Sequence, residues 1–313
     1  MTAEDGPVRR QFSRRGFLGT VGLGAATAAT GGLPAVGADA AAPHPTPATF
    51  GRLFAAPSFA DATPDVVAAL TELGRPGGLL DAGDALDRSA KDLIVDLALS
   101  EGNRNNPDHT AGTTFVGQFL DHDITFDVTS QLAVPTVPEA TPNTRTPSFD
   151  LESVYGAGPN ASPQLYDPVD RIKLAIESGG LFEDLPRRAD GRAVIGDPRN
   201  DSNVIIAGLH AAFILVHNRA VDVVRVQGDV TADPDVFAAA RRFTVWHYHW
   251  LIVHEFLPLF IGHKLTDDIL ARGRRFYRPK PGRAFIPVEF SGAAYRFGHS
   301  MVRPSYRANL AGD

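Results

Sequence analysis

The stretch NVIIAGLHAAFILVHNRAVDVVRVQ, Asn203 to Gln227, decides the fold class. Ile205, Leu209, Ala212, Val216, Ala220 and Val223 recur at three- and four-residue intervals, the period of one helix face. Asp201 or Ser202 stands where an N-cap belongs, and Gly228 where a helix stops. A second long helix is predicted from Asp233, with Pro234 in its first turn, through FAAARRFTVWHYHWLIVHEFL to Leu257, where Pro258 should end it. Shorter helices are predicted over 64–73, 85–100 and 112–121, whereas alternating runs of strand length are scarce. The expected fold is mainly α, with long irregular loops and very little β.

The chain has 313 residues, 43% of them apolar, enough for a substantial core. Its net charge of −6, with no Lys/Arg run beyond the N-terminus, argues against nucleic acid as a partner. The absence of cysteine excludes disulfides, thiolate metal sites and cysteine nucleophiles. SRRGFLG, Ser13 to Gly19, places Arg14 and Arg15 ahead of a weakly apolar Ala/Gly-rich stretch that ends in ADA at 38–40. That is the pattern of a twin-arginine signal over residues 1–40, with the export machinery as partner and a secreted or extracytoplasmic destination, the periplasm or cell exterior. Glycines and threonines interrupt the stretch, so no stable membrane anchor is expected. Residues 41–60, rich in Ala and Pro, read as a linker or arm, and 61–313 as the working domain.

Chemistry concentrates in a few motifs. GQFLDHDITFD, Gly117 to Asp127, sets His122 between Asp121 and Asp123. A polar turn, a metal site, or three side chains leaving one short element toward separate jobs all fit that pattern. TPSFDLE, Thr146 to Glu152, carries oxygen at alternate positions: Thr146, Ser148, Asp150 and Glu152. Alternate residues of an extended segment face one way, so these oxygens suit calcium, although a solvated loop has the same composition. His254 and Glu255 begin a zinc-protease pattern that Pro258 breaks. His247 and His249, ringed by aromatics, and His210 and His217, seven residues apart, read as packing histidines. Nucleophile elbows, phosphate loops and dinucleotide fingerprints are missing from the sequence.

FVGQFLDHDITFD, TPSFDLESVYG (Thr146 to Gly156), GDPRNDSN with LHAAFILVHNR (Gly196 to Arg219) and AAYRFGHSMV (Ala293 to Val302) follow in order. Together they resemble the animal-type haem peroxidases of the peroxidase and cyclooxygenase superfamily, the myeloperoxidase-like enzymes. The resemblance implies the helical haem-peroxidase fold and haem b as cofactor. His122 then corresponds to the distal histidine, which takes a proton from one peroxide oxygen and returns it to the other, and so must start neutral. Arg199 corresponds to the distal arginine that keeps it so, and Gln118 to a distal-pocket glutamine. His299 corresponds to the proximal ligand of the haem iron. Asp121 matches a residue that forms an ester to haem. Asp123 matches a calcium ligand, joined by Thr146, Ser148 through its carbonyl, Asp150 and Glu152.

Two departures stand out. Ser202 occupies the position of a glutamate that forms a second haem ester, so at most one ester, at Asp121, is expected. The chain also stops soon after His299, without the asparagine that orients the proximal histidine, so a C-terminally truncated bacterial member with a poorly oriented proximal imidazole is expected. The implied function is an exported peroxidase that uses hydrogen peroxide to oxidise small anions (iodide, bromide, thiocyanate) or phenol-like aromatics as its small-molecule reductant. Its alternatives are a fatty-acid dioxygenase, with Tyr248 or Tyr295 as radical site, and a haem-free calcium-bound remnant without catalysis.

Overall fold

The computed structural model describes residues 48–54, 57, 60–81, 87–88, 109–131, 134, 136–178, 180, 182–302 and 306. The expected signal, residues 1–40, and nearly all of the helix expected over 85–100 lie outside these. Ala42–Asp313 forms one compact unit. Among the described residues its helices are α1 (Pro64–Gly74), α2 (Ala111–Ile124), the single turn α3 (Glu152–Tyr155), α4 (Val204–Gln227), α5 (Asp233–Leu251), α6 (Leu257–Ile261), α7 (His263–Arg272) and α8 (Val288–Ser291). A 3-10 turn, Pro198–Asp201, precedes α4, and a longer 3-10 segment, Ala294–Met301, follows α8.

The long helix begins where Asn203, not Asp201 or Ser202, accepts hydrogen bonds from the amides of Ile205 and Ile206. It ends at Gly228, whose φ of 76° is a left-handed conformation that glycine adopts without strain. The buried face differs from the sequence expectation by one step. Ile206, Ala207, His210, Ala211, Ile214, His217, Ala220 and Val221 are buried, while Ala212 is exposed. α4 is apolar on both faces, so spacing alone did not choose between them; hydrogen bonds to the two histidines do. By length and composition α4 could cross a membrane, but here it is the central core helix.

α5 does not stop at Pro258. A π-helical turn, Ile252–Phe256, links it to α6, which carries Pro258 in its first turn. The wider turn accommodates the proline ring without breaking the helical path. The aromatic-rich end of α5 splits by face: Tyr248 is buried, whereas Trp246, His247, His249 and Trp250 are exposed, which corrects the expectation that both histidines pack inside.

The main core joins Phe119 and Leu120 of α2, Val154 and Tyr155 of α3, Ile206, Ala211 and Ile214 of α4, and Tyr248 with Ile252 and Phe256. The 41–60 arm is structured in part. Ala48–Gly51 forms β1, the middle strand of a three-stranded sheet, antiparallel to β2 (Pro142–Asn143) and parallel to β3 (Ile286–Pro287). Phe50 and Ile286 close over Ile124, pinning the C-terminal end of α2.

Candidate active site

The last turn of α2 sends the three residues of DHD to three places. Asp121 is half-buried and accepts from the Thr125 hydroxyl at 3.2 Å. His122 is buried, with Nδ1 2.8 Å from Asn200 Oδ1; Asn200 Nδ2 lies 3.0 Å from His210 Nδ1. His122 Nε2 has no hydrogen-bonding partner among the described residues. Burial is the main cause that lowers the His122 pKa; the Asn200 bond opposes it and the Arg199 charge reinforces it. The sequence assigned the neutral imidazole to Arg199 alone, and burial proves the larger effect.

Arg199 and Asn200 come from the 3-10 turn, whose shape depends on Asp197. This buried carboxylate accepts from Arg199 N at 2.9 Å, from Arg199 Nε and Nη2 at 3.0 and 2.8 Å, and from Arg145 Nη2 at 2.7 Å. Burial by itself raises the Asp197 pKa, but the bonds and charges of Arg199 and Arg145 hold it at about 2. Arg199 Nη2 also reaches the carbonyls of His122 (3.0 Å) and Thr125 (2.6 Å), and the guanidinium covers Phe126 at 4.4 Å. Its charge thus sits at the C-terminal end of α2, where a cation is favourable. Gln118 Nε2 donates to Ser202 Oγ at 3.3 Å, a second tie between α2 and this turn. Gly196 lets the turn approach α3: a Cβ there would lie 2.6 Å from the Ser153 carbonyl oxygen.

Asp123 is fully buried, accepting from Leu151 N (3.0 Å), Ser153 N (3.2 Å) and Ser153 Oγ (3.0 Å). Leu151 adopts φ 59°, a left-handed conformation costing on the order of 1 kcal/mol, which turns these donors toward the carboxylate. Burial, then the charge of Asp150, pushes the Asp123 pKa up to about 7, and burial raises that of Asp150 too. The Tyr248 hydroxyl is buried beside Asp123, and burial first, then the Asp123 charge, raises its pKa. Asp123 and Asp150 are thus adjoining carboxylates. Glu152 does not belong to that set: its carboxylate accepts from Thr146 N at 3.1 Å and pairs with Arg145 at 3.5 Å. Among the described residues no group of three or more His, Asp and Glu side chains converges for a metal. The five-residue donor set expected from sequence is therefore not assembled, because Arg145 captures Glu152.

His299 is exposed on the 3-10 segment Ala294–Met301. That segment is held against α2 by the Tyr295 hydroxyl, which donates to the Gly117 carbonyl at 2.9 Å. His299 Nδ1 lies 3.2 Å from the Arg296 carbonyl. A carbonyl only accepts, so Nδ1 carries the proton and Nε2 offers a lone pair. That bond within its own segment is the contact the His299 ring makes.

The sequence profile of the animal haem peroxidase family matches residues 133–310, and the chain belongs to this family. The Drosophila melanogaster dual oxidase is 33% identical over 149 residues, 45% of this chain and 8% of that protein. Heme peroxidase 2 of Caenorhabditis elegans is 28% identical over 113 residues, 34% of this chain and 16% of that protein. The chain thus spans under a fifth of the length of these two relatives. A crystal structure of fatty acid alpha-dioxygenase from Arabidopsis thaliana aligns over 61% of this chain and 38% of that one, with TM-score 0.47 and 19% identity. The family match includes Arg199 and His299; Gln118, Asp121, His122 and Asp123 precede it. The donor chemistry fits haem: two histidines, each with an Nε2 that has no hydrogen-bonding partner among the described residues, lie on α2 and on the segment docked beside it.

Proposed function

We propose that the chain is the haem-binding part of a peroxidase that reduces hydrogen peroxide at the expense of a small anion or phenol-like donor. The observation that carries this reading is a buried His122 whose pKa burial lowers, whose Nε2 has no hydrogen-bonding partner among the described residues, and whose backbone carbonyl accepts from the Arg199 guanidinium. His299 would hold the haem iron through Nε2. Haem, when bound, supplies the two-electron reduction of peroxide and the later oxidation of the donor. His122 Nε2 accepts the first peroxide proton and delivers it to the oxygen that leaves as water. Arg199 offers fixed positive charge beside that transfer, and Gln118 a second polar group on the same face, one helical turn earlier.

Three finer points belong to the same proposal. Calcium would occupy the Asp123 and Asp150 carboxylates with Thr146 and the Ser148 carbonyl, stiffening the helix end that presents His122. Asp121 would form one haem ester and Ser202 none, and a haem with one ester favours iodide, thiocyanate and phenols over chloride. Arg14 and Arg15 would direct export by the twin-arginine route, with the folded domain working outside the cytoplasm.

Haem titration into the purified chain tests the reading. A Soret band that His299→Ala removes, with peroxide-dependent oxidation of guaiacol, supports it. Oxygen uptake with a long-chain fatty acid and no guaiacol oxidation would assign a dioxygenase instead, and absence of any Soret band would contradict haem enzymology altogether.

A further inference from the structure

We propose that Asn200 is a positioning residue that locks His122 in its Nδ1–H tautomer by relaying a restraint from His210 on α4, leaving Nε2 as a permanent proton acceptor. The proposal rests on the peroxidase reading only for its consequence; the lock itself is a property of three side chains. They come from three elements, the end of α2, the 3-10 turn and α4, and are 7%, 0% and 1% exposed, so water does not compete for their bonds.

The chemistry of an amide makes the relay directional. Asn200 Oδ1, 2.8 Å from His122 Nδ1, only accepts, so His122 donates there. Asn200 Nδ2, 3.0 Å from His210 Nδ1, only donates, so His210 accepts. A turned amide would exchange both roles and leave His122 with a proton on Nε2, useless as a base toward peroxide. His210 supports the first state as long as its single proton sits on Nε2. It is buried and burial holds its pKa at about 4, so at neutral pH it carries one proton and one ring nitrogen is left to accept. Phe119 stands edge-on to the His210 ring at 6.2 Å and keeps it from turning. Asn200 in turn is fixed by its backbone amide, which donates to the Asp197 carbonyl at 3.0 Å. A proton relay through the amide is not needed; the device is geometric. It also explains why a residue with no reach to peroxide is fully buried next to Arg199 in the same turn.

Ring-nitrogen NMR of the full chain, labelled with nitrogen-15 in histidine, reads the tautomer whether or not haem is present. The haem-loaded chain is taken as its diamagnetic ferrous carbonyl form, and His122 is assigned by the signal lost in His122→Gln. The expected pattern is a protonated Nδ1 and a bare Nε2. Asn200→Leu, which removes both bonds, is expected to give a mixture of tautomers, whereas Asn200→Asp, which keeps an acceptor for Nδ1, retains the wild-type pattern. In the haem-loaded chain, cyanide association followed at the Soret band should slow about ten-fold or more in Asn200→Leu and stay within about three-fold of wild type in Asn200→Asp. A protonated Nε2 in the wild type, or an unchanged tautomer in Asn200→Leu, overturns the proposal. Failure to take up haem would contradict the peroxidase reading, while the tautomer spectrum would still decide this one.

Discussion

At the residue scale, one buried carboxylate organises the candidate site. Asp197 shapes the turn that carries Arg199 and Asn200, and it anchors both guanidinium groups that border the turn. Removing it leaves Arg145, 8% exposed, without its strongest partner. Breaking a buried pair from one side costs about 3 kcal/mol or more. Asp197→Ala is therefore expected to lower the urea midpoint by that equivalent and to release Arg199 from α2, while Asp190→Ala, at an exposed pair, leaves the midpoint unchanged. Equal midpoints for the two variants would show that Asp197 is not the organiser. The importance of Asp197, Asn200 and His210 was not legible in the sequence. Nothing in GDPRND says which polar side chain turns inward, because that depends on helices brought in from far along the chain. Asp121, His122 and Asp123 were better marked, since adjacent residues at a helix end must diverge.

At the element scale, long helices were legible and their termini less so. α4 was placed to within one residue because its pattern repeats over many turns, yet its N-cap and buried face were misplaced by a step each. Asn203 competes with Asp201 and Ser202 for the cap, and only the 3-10 turn excludes the latter two from it. Asn203→Ala is expected to cost about 1 kcal/mol by chemical denaturation, and Ser202→Ala close to nothing. The loop from Thr146 to Glu152 is the second element at issue. The mutual repulsion of Asp123 and Asp150 predicts that a cation stabilises it. Chelator should lower the melting temperature of the wild type, and Asp123→Ala should abolish the difference between chelated and calcium-loaded protein. A wild-type melting temperature indifferent to chelator would remove calcium from the account. Glu152 escaped sequence reasoning because its competing partner, Arg145, is also the partner of Asp197.

At the scale of the whole molecule, the core depends on histidines that stay neutral. His217 Nε2 lies 2.9 Å from the Ile172 carbonyl and Nδ1 3.0 Å from the Tyr155 hydroxyl, so the ring donates at one side and accepts at the other. Burial is the main cause that depresses its pKa to about 4 from 6.5. The unfolded chain binds this proton at a higher pH than the fold does, so the contribution is complete above pH 6.5 and is lost as pH falls toward 4. The full difference is about 3 kcal/mol for His217. Unfolding free energy should fall over that window in the wild type and fall less steeply in His217→Gln; parallel profiles would refute the assignment. Mutual packing of α2, α4 and α5 around such residues explains why composition alone indicated a helical class but not its interior.

The central claim is that His122 is the proton acceptor of a haem peroxidase site, and the rate of the reaction with peroxide tests it most directly. In stopped-flow mixing of the haem-loaded chain with hydrogen peroxide, His122→Ala is expected to lower the second-order rate constant by about 10²–10⁴ with haem content unchanged. A variant that takes up haem normally and reacts with peroxide at the wild-type rate would contradict the account.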